Sequence, residues 1–154
     1  MKKVLFVCLG NICRSPLAEG LAIHLAKEKG VSDQIEFDSC GTSHYHIGNQ
    51  PDERTISNAA SNGLKLDSKA RQFGKRDFRD FDYILAMDAA NLSNIQKLDQ
   101  AVQFGDKLYL MRDFDPEKPG SDVPDPYFGG DTGFQNVYDI LNRSVNNFLD
   151  TELI

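Results

Sequence analysis

Val4-Leu5-Phe6-Val7 is an unbroken apolar run, the pattern of a strand buried on both faces of a parallel sheet. A few residues later Ser15-Pro16 reads as a helix start. Ser15 is a favoured N-cap, Pro16 occupies a first-turn position where a missing N–H costs nothing, and Gly30 is the expected stop. A buried strand that turns directly into a helix commits the chain to a layered α/β architecture. It also aims the amides of the connecting loop, with the positive end of the helix dipole, at a single point, and that is an anion site.

Two side chains give that loop chemistry. Cys8 leads it and Arg14 closes it, so a curled backbone brings thiol and guanidinium to the same anion. The amides, the dipole and Arg14 all favour thiolate over thiol, and a thiolate is a nucleophile. Arg14 presents a planar fork that fits two phosphoryl oxygens, which a lysine cannot do. Neither of the common glycine-rich nucleotide loops, G-x-x-x-x-G-K-[ST] and G-x-G-x-x-G, occurs in the chain.

The remaining pattern alternates strand and helix. Helix 1 carries Leu17, Ala18, Leu21, Ala22 and Leu25 on one stripe, with Glu19, Lys27, Glu28 and Lys29 towards water and His24 at the surface. Strand 2 runs from Ile35 to Ser39 or Cys40, and Cys40 reads as a structural thiol. A patternless stretch follows from Gly41 to Pro51; loops of that length are commonly functional. His44 and His46 within it lack ligands at metal-binding spacing. Helix 2 spans Pro51 or Asp52 to Asn62, with Ile56, Ala59 and Ala60 inward. Strand 3 is Tyr83 to Met87, and Asp88 caps a helix bearing Leu92, Ile95 and Leu98. Strand 4 is Leu108 to Met111. A Pro-rich loop from Arg112 to Gly130 precedes a last helix, opened by Asp131 or Thr132, with Phe134, Val137, Leu141, Val145 and Phe148 in one stripe. The expectation is a three-layer α/β sandwich: four parallel strands, helices on both faces, and an anion loop after strand 1. Ligands in such sheets bind beyond the strand C-termini, where the loops after strands 1 and 4 meet.

At 154 residues the chain is expected to form a single domain, 1–154, with a core of its own. Seventeen Lys plus Arg against 23 Asp plus Glu give a net charge of −6, which disfavours nucleic acid and anionic membranes as partners. No run approaches a membrane span, the first strand leaves no room for an apolar leader, and three cysteines suit reduced thiols; the expected location is cytoplasmic.

Cys8 to Ser15, continuing into Pro16-Leu17-Ala18-Glu19, resembles the signature of the low-molecular-weight protein tyrosine phosphatases. The resemblance extends through Pro51-Asp52-Glu53-Arg54, Ala70-Arg71-Gln72, the segment Phe81 to Asp88, and Asp125-Pro126-Tyr127. It implies hydrolysis of phosphotyrosine in proteins or peptides, and of small aryl phosphates, with no cofactor or metal. Cys8 would be the nucleophile and Arg14 the phosphate clamp. Leu9, Gly10, Asn11, Ile12, Cys13 and Ser15 would complete the phosphate cradle, and Tyr45 and Tyr127 would wall the aryl ring. Phe128 stands where some members carry another tyrosine. Ser15 can donate to the Cys8 sulfur; Asn11, after Gly10, suits a left-handed turn. The family implies that Asn11 and Ser39 share a hydrogen-bond network.

A phenol leaves phosphate more readily when it is protonated, and the Cys8 loop holds no acid. The loop after strand 4 offers Asp113, Asp115, Asp122 and Asp125, and spacing alone does not choose among them. Two prolines stiffen the backbone around Asp125, and Asp-Pro-Tyr is the family's general-acid motif, so the resemblance selects Asp125. Cys13, five residues from Cys8, is positioned to trap an oxidised Cys8 as a disulfide if the loop brings the sulfurs together. A monomer with at most weak self-association is expected. Arsenate reduction, on a similar loop and fold, needs resolving cysteines, and none follows Cys40. The protein-arginine phosphatases are nearer, but they tend to carry Thr where Ile12 stands. A binding module without turnover would not need Cys8, Arg14 and Asp125 together.

Overall fold

The computed structural model describes residues 1–127 and 131–154, with the backbone alone at 131 and 132. Its centre is a parallel sheet of four strands, β1 (Lys2–Cys8), β2 (Ile35–Gly41), β3 (Tyr83–Ala86) and β4 (Leu108–Leu110), in the order β2-β1-β3-β4. β1 therefore lies between two neighbours, and its apolar run is buried on both sides. Val4, Phe6 and Cys8 point into one core, while Leu5 and Val7 point into the other, as the two-residue period of a strand requires.

From β1 the chain steps outward to β2 through α1 (Arg14–Glu28), and from β3 outward the other way to β4 through α4 (Ala89–Leu98). Right-handed crossovers in opposite directions put these helices on opposite faces. The packing agrees. Leu17, Leu21 and Ala22 of α1 share one core with Val137, Leu141, Val145 and Phe148 of α5 (Asp131–Phe148), whereas Ile95 of α4 shares the other with Phe73, Phe78 and Phe81. α2 (Glu53–Ser61) lies against α5; Asp52 caps it by accepting from the Arg54 N–H at 2.9 Å. Thr55 and Ala59 are its buried residues, and Ala60, expected inward, is exposed. A short α3 (Asp77–Asp80) occupies a stretch the sequence pattern left unassigned. The opening of α5 and Phe128 lie outside the described residues or side chains. Among the described residues no helix is long and apolar enough to cross a membrane.

The start of α1 differs from expectation. Helix geometry begins at Arg14 with Cys13 at the N-cap, and Ser15 lies inside the first turn, fully buried. The Ser15 hydroxyl makes no cap because it is engaged with Cys8 and Asn11, so loop chemistry outcompetes capping preference. Pro16 remains in the first turn, where its missing N–H is harmless.

Candidate active site

The loop between β1 and α1 is curled by one residue in the left-handed region, Asn11, with φ 58°. This conformation aims the Asn11 N–H back at the Cys8 sulfur, 3.3 Å away, while the Ser15 hydroxyl approaches the same sulfur at 3.0 Å. The Asn11 amide nitrogen donates to Ser15 Oγ at 2.7 Å and to Ser39 Oγ at 3.0 Å, and its Oδ1 accepts from the Arg71 N–H at 3.1 Å. A side chain that bonds to β2, α1 and the segment after Lys69 holds the loop in one shape.

The loop is also zipped to its neighbours through backbone. Thr42 and Ser43 N–H groups donate to the Cys8 and Leu9 carbonyls at 2.9 and 3.0 Å, and the Asp52 N–H donates to the Ile12 carbonyl at 2.8 Å. Gly41 permits this approach: a Cβ there would lie 2.6 Å from the Leu9 carbonyl oxygen and 3.1 Å from Asn11 N. Backbone atoms cannot yield as a side chain does, so the glycine is a requirement of the site. The sequence pattern showed Gly41 only as the beginning of a loop.

Arg14 is 3% exposed and anchored twice, its Nη1 donating to Asp88 Oδ2 at 2.6 Å and to the Val123 carbonyl at 3.0 Å. Asp88 also caps α4, as expected, because its other oxygen accepts from the Asn91 N–H at 2.7 Å. Its second role was missed; the available signal was that any polar residue ending β3 lies at the same sheet edge as the end of β1. Burial opposes the charged guanidinium, but the Cys8 charge and the Asp88 hydrogen bond and charge outweigh it and hold the Arg14 pKa above its ordinary value. Burial pushes the Cys13 thiol up to about 12 and the Cys40 thiol well above its usual range, so both are neutral thiols.

The four aspartates of the loop before α5 separate by environment. Asp113 accepts from the Leu110 N–H, and Asp122 from the Ala89 N–H at the start of α4. Asp115 is buried between Arg112 and Arg143. Asp125 Oδ1 makes a local turn with the Tyr127 N–H at 3.1 Å, and Oδ2 lies 3.7 Å from Arg14 Nη2, with 41% of the side chain exposed. The backbone just before Asp125 is fixed: Val123 N–H donates to the Met87 carbonyl at 2.8 Å, and the Val123 carbonyl receives Arg14.

These groups surround a cavity of about 200 Å³, lined by Cys8, Leu9, Gly10, Ile12, Cys13 and Arg14 from the loop and by His46, Asp125 and Tyr127 from elsewhere. That is small for an organic ligand, and it suits one phosphoryl group with an attached ring. Asn11 and Ser15 stand behind this lining and shape it. Tyr127, 38% exposed, is backed by the Arg54 guanidinium 5.2 Å from its ring centre; Arg54 also lies 4.8 Å from the Phe134 ring and pairs with Asp52. Tyr45 is 73% exposed, rests against His44, and is not among the lining residues; His46, whose Cδ2 would meet a Cβ on Gly10 at 3.0 Å, holds that side of the wall.

Comparison with known proteins agrees with this geometry. The family model for low molecular weight phosphotyrosine protein phosphatase matches residues 3–153. The human low molecular weight phosphotyrosine protein phosphatase is 43% identical over 150 residues, covering 97% of this chain and 94% of its own. Among solved structures, a protein tyrosine phosphatase from Entamoeba histolytica superposes with a TM-score of 0.93 at 39% identity, covering 97% and 96% of the two chains. A Drosophila arginine phosphatase superposes with a TM-score of 0.91 at 34% identity, covering 100% and 99%. The chain belongs to the low-molecular-weight phosphotyrosine protein phosphatases, a family of hydrolases.

Proposed function

We propose that this protein hydrolyses phosphotyrosine in proteins and peptides, and small aryl phosphates, through a cysteinyl-phosphate intermediate. The observation that carries the reading is convergence: Cys8, Arg14 and Asp125 line one small cavity, and Asp125 is the aspartate of its loop that faces it. The Cys8 thiolate attacks phosphorus in line as the bond to the phenolic oxygen breaks, and Asp125 gives its proton to the departing oxygen. Arg14 and the loop amides hold the equatorial oxygens, whose charge is stabilised by donors already in place. Water then attacks the cysteinyl phosphate, Asp125 takes its proton, and Cys8 leaves as thiolate. The Asn11 N–H, directed at the sulfur, and the Ser15 hydroxyl, close enough to donate to a thiolate, favour the thiolate as nucleophile and as leaving group. No step calls on a metal or cofactor, and the chain acts as a monomeric single domain.

The decisive assay compares phosphotyrosine, phosphoserine and phosphoarginine as substrates of wild type, Cys8→Ser and Asp125→Ala, without metal and with reductant. Metal-independent turnover of phosphotyrosine, abolished in Cys8→Ser and strongly slowed in Asp125→Ala, is expected. Because the acid must be protonated while the nucleophile is ionised, the rate falls towards alkaline pH; a steady rise to alkaline pH contradicts the role of Asp125. The Drosophila neighbour supports a second reading, in which phosphoarginine is preferred. Ile12 and Tyr127 in the cavity lining favour an aromatic substrate over it.

A further inference from the structure

The loop before α5 meets the anion loop through a pair of side chains that the proposed chemistry does not use. Asp52, whose N–H donates to the Ile12 carbonyl of the anion loop at 2.8 Å, holds the Arg54 guanidinium with both carboxylate oxygens, each at 3.0 Å. That guanidinium lies over two rings, Phe134 of α5 with its centre at 4.8 Å and Tyr127 of the acid loop at 5.2 Å. We propose that Arg54 is a positioning residue for the general acid: it seats the Tyr127 ring, and through the Tyr127 backbone it sets which oxygen of Asp125 faces the cavity. The proposal rests on the reading of Asp125 as the acid.

The link runs through bonds between named atoms. An arginine paired fork to fork with a carboxylate is held flat and in one orientation, so its faces become a fixed plate for aromatic rings. Asp52 is itself held, because its Oδ1 also accepts from the Arg54 N–H at 2.9 Å as the cap of α2. The Arg54 hydrogen bonds outweigh partial burial and keep the Asp52 carboxyl below its ordinary pKa, so the pair persists into the mildly acidic range where the catalytic acid carries its proton. Tyr127, resting on this plate, is two residues from Asp125, and its N–H donates to Asp125 Oδ1 at 3.1 Å. That bond engages Oδ1 and leaves Oδ2 on the side of Arg14 Nη2, 3.7 Å away, where the leaving oxygen would sit. If the ring slides off its seat, the Tyr127 N–H turns with it and the carboxyl rotates out of line.

Charge steering is the competing account of an arginine beside a phosphate cavity. The geometry argues against it. Arg54 gives its charge to Asp52 and its faces to the rings, and it is not among the residues that line the catalytic cavity. A lysine would keep the charge and lose the plate, which separates the two accounts.

The test is the leaving-group dependence of kcat/KM, which covers the steps up to phenol release. Phenyl phosphate and p-nitrophenyl phosphate are compared in wild type, Arg54→Ala, Arg54→Lys, Asp125→Ala and the double variant Arg54→Ala/Asp125→Ala. The p-nitrophenolate ion departs with little help, whereas phenolate needs the proton. Arg54→Ala is expected to lose about three- to fivefold on phenyl phosphate, the bias that an exposed cation–π contact can hold, and less than about twofold on the nitro ester. The ratio of the two losses compares both esters on the same enzyme, so partial unfolding of a variant leaves it unchanged. Arg54→Lys is expected to match Arg54→Ala, and in the Asp125→Ala background removal of Arg54 leaves the ratio where it was. Equal losses on both esters, wild-type behaviour in Arg54→Lys, or a shift of the ratio that persists without Asp125 would overturn the proposal. If Asp125→Ala itself loses no more on phenyl phosphate than on the nitro ester, the acid assignment fails, and the role of Arg54 with it.

Discussion

The two arms of the site are built in opposite ways. The arm from Cys8 to Ser15 is buried, held by backbone bonds from residues 42, 43 and 52, and crossed by the Asn11 side chain. The arm from Arg112 to Tyr127 is anchored at Asp115 and Val123, but its working end, Asp125, is exposed beyond the last anchor. In the proposed mechanism, attack on phosphorus requires a thiolate and donors that do not move, so rigidity on that arm lowers the reorganisation the reaction needs. A proton donor has to serve first a leaving oxygen and then a water, and an end tethered two residues away allows it. Damage to the framework of the first arm, as distinct from its sulfur, should therefore cost structure and activity together, whereas damage at the tip of the second should cost activity alone.

The largest effect expected is from Cys8→Ser, with phosphatase activity falling to background while the fold persists; residual metal-independent turnover would break the assignment. Asp125→Asn should lower kcat on aryl phosphates by about 10²- to 10⁴-fold, with the melting temperature unchanged. A marked loss of stability in that variant would erase the contrast between the arms. Gly41→Ala should show the reverse coupling. Its Cβ meets carbonyl and amide atoms, so about 1–3 kcal/mol of stability is lost in denaturant titration, and the displaced loop slows turnover by about 10²-fold.

Asp115 sharpens the comparison from the anchored end of the acid arm. Burial raises its pKa, but hydrogen bonds from Arg143, the Glu117 amide and Arg112 outweigh it and bring the value down to about 2. A depressed carboxyl adds stability that is present above its unfolded value, near pH 4, and is lost as the pH falls through about 2; the contribution is about 2 to 3 kcal/mol. Acid titration of the melting temperature should show this slope, and Asp115→Asn should flatten it. The smallest effects lie at the rim. Tyr127→Ala should raise KM for phosphotyrosine peptides severalfold and Tyr45→Ala by less than about twofold, a contrast that steady-state kinetics would reverse if Tyr45 folds over bound substrate.

Local chemistry made the first arm readable. A buried strand, a helix start and the residues between them are set by neighbours in sequence, and the left-handed turn at Asn11 follows from the same stretch. Ser15 was misread as a cap because its hydroxyl is claimed by a sulfur seven residues earlier. Glu19 was misread as exposed because helical periodicity on α1 carries no information about where Ser39 of β2 ends up. The link from Asp88 to Arg14 spans 74 residues and depends on β3 lying beside β1, which no local pattern encodes. Among the aspartates of the second arm, family resemblance was needed in advance; afterwards Arg112, Arg143 and the amides of Leu110 and Ala89 distinguish three of them from the fourth.

The hydrogen bond from Arg14 to the Val123 carbonyl has a consequence for biosynthesis. A ribosome makes the proposed nucleophile, Cys8, and its neighbour Arg14 more than a hundred residues before the Val123 carbonyl that fixes that arginine and the proposed acid, Asp125. On the proposed roles, the nascent chain carries the thiol without the partners that complete the site until the end of the second arm has docked against β3. Folding and switching on are, on those roles, the same event.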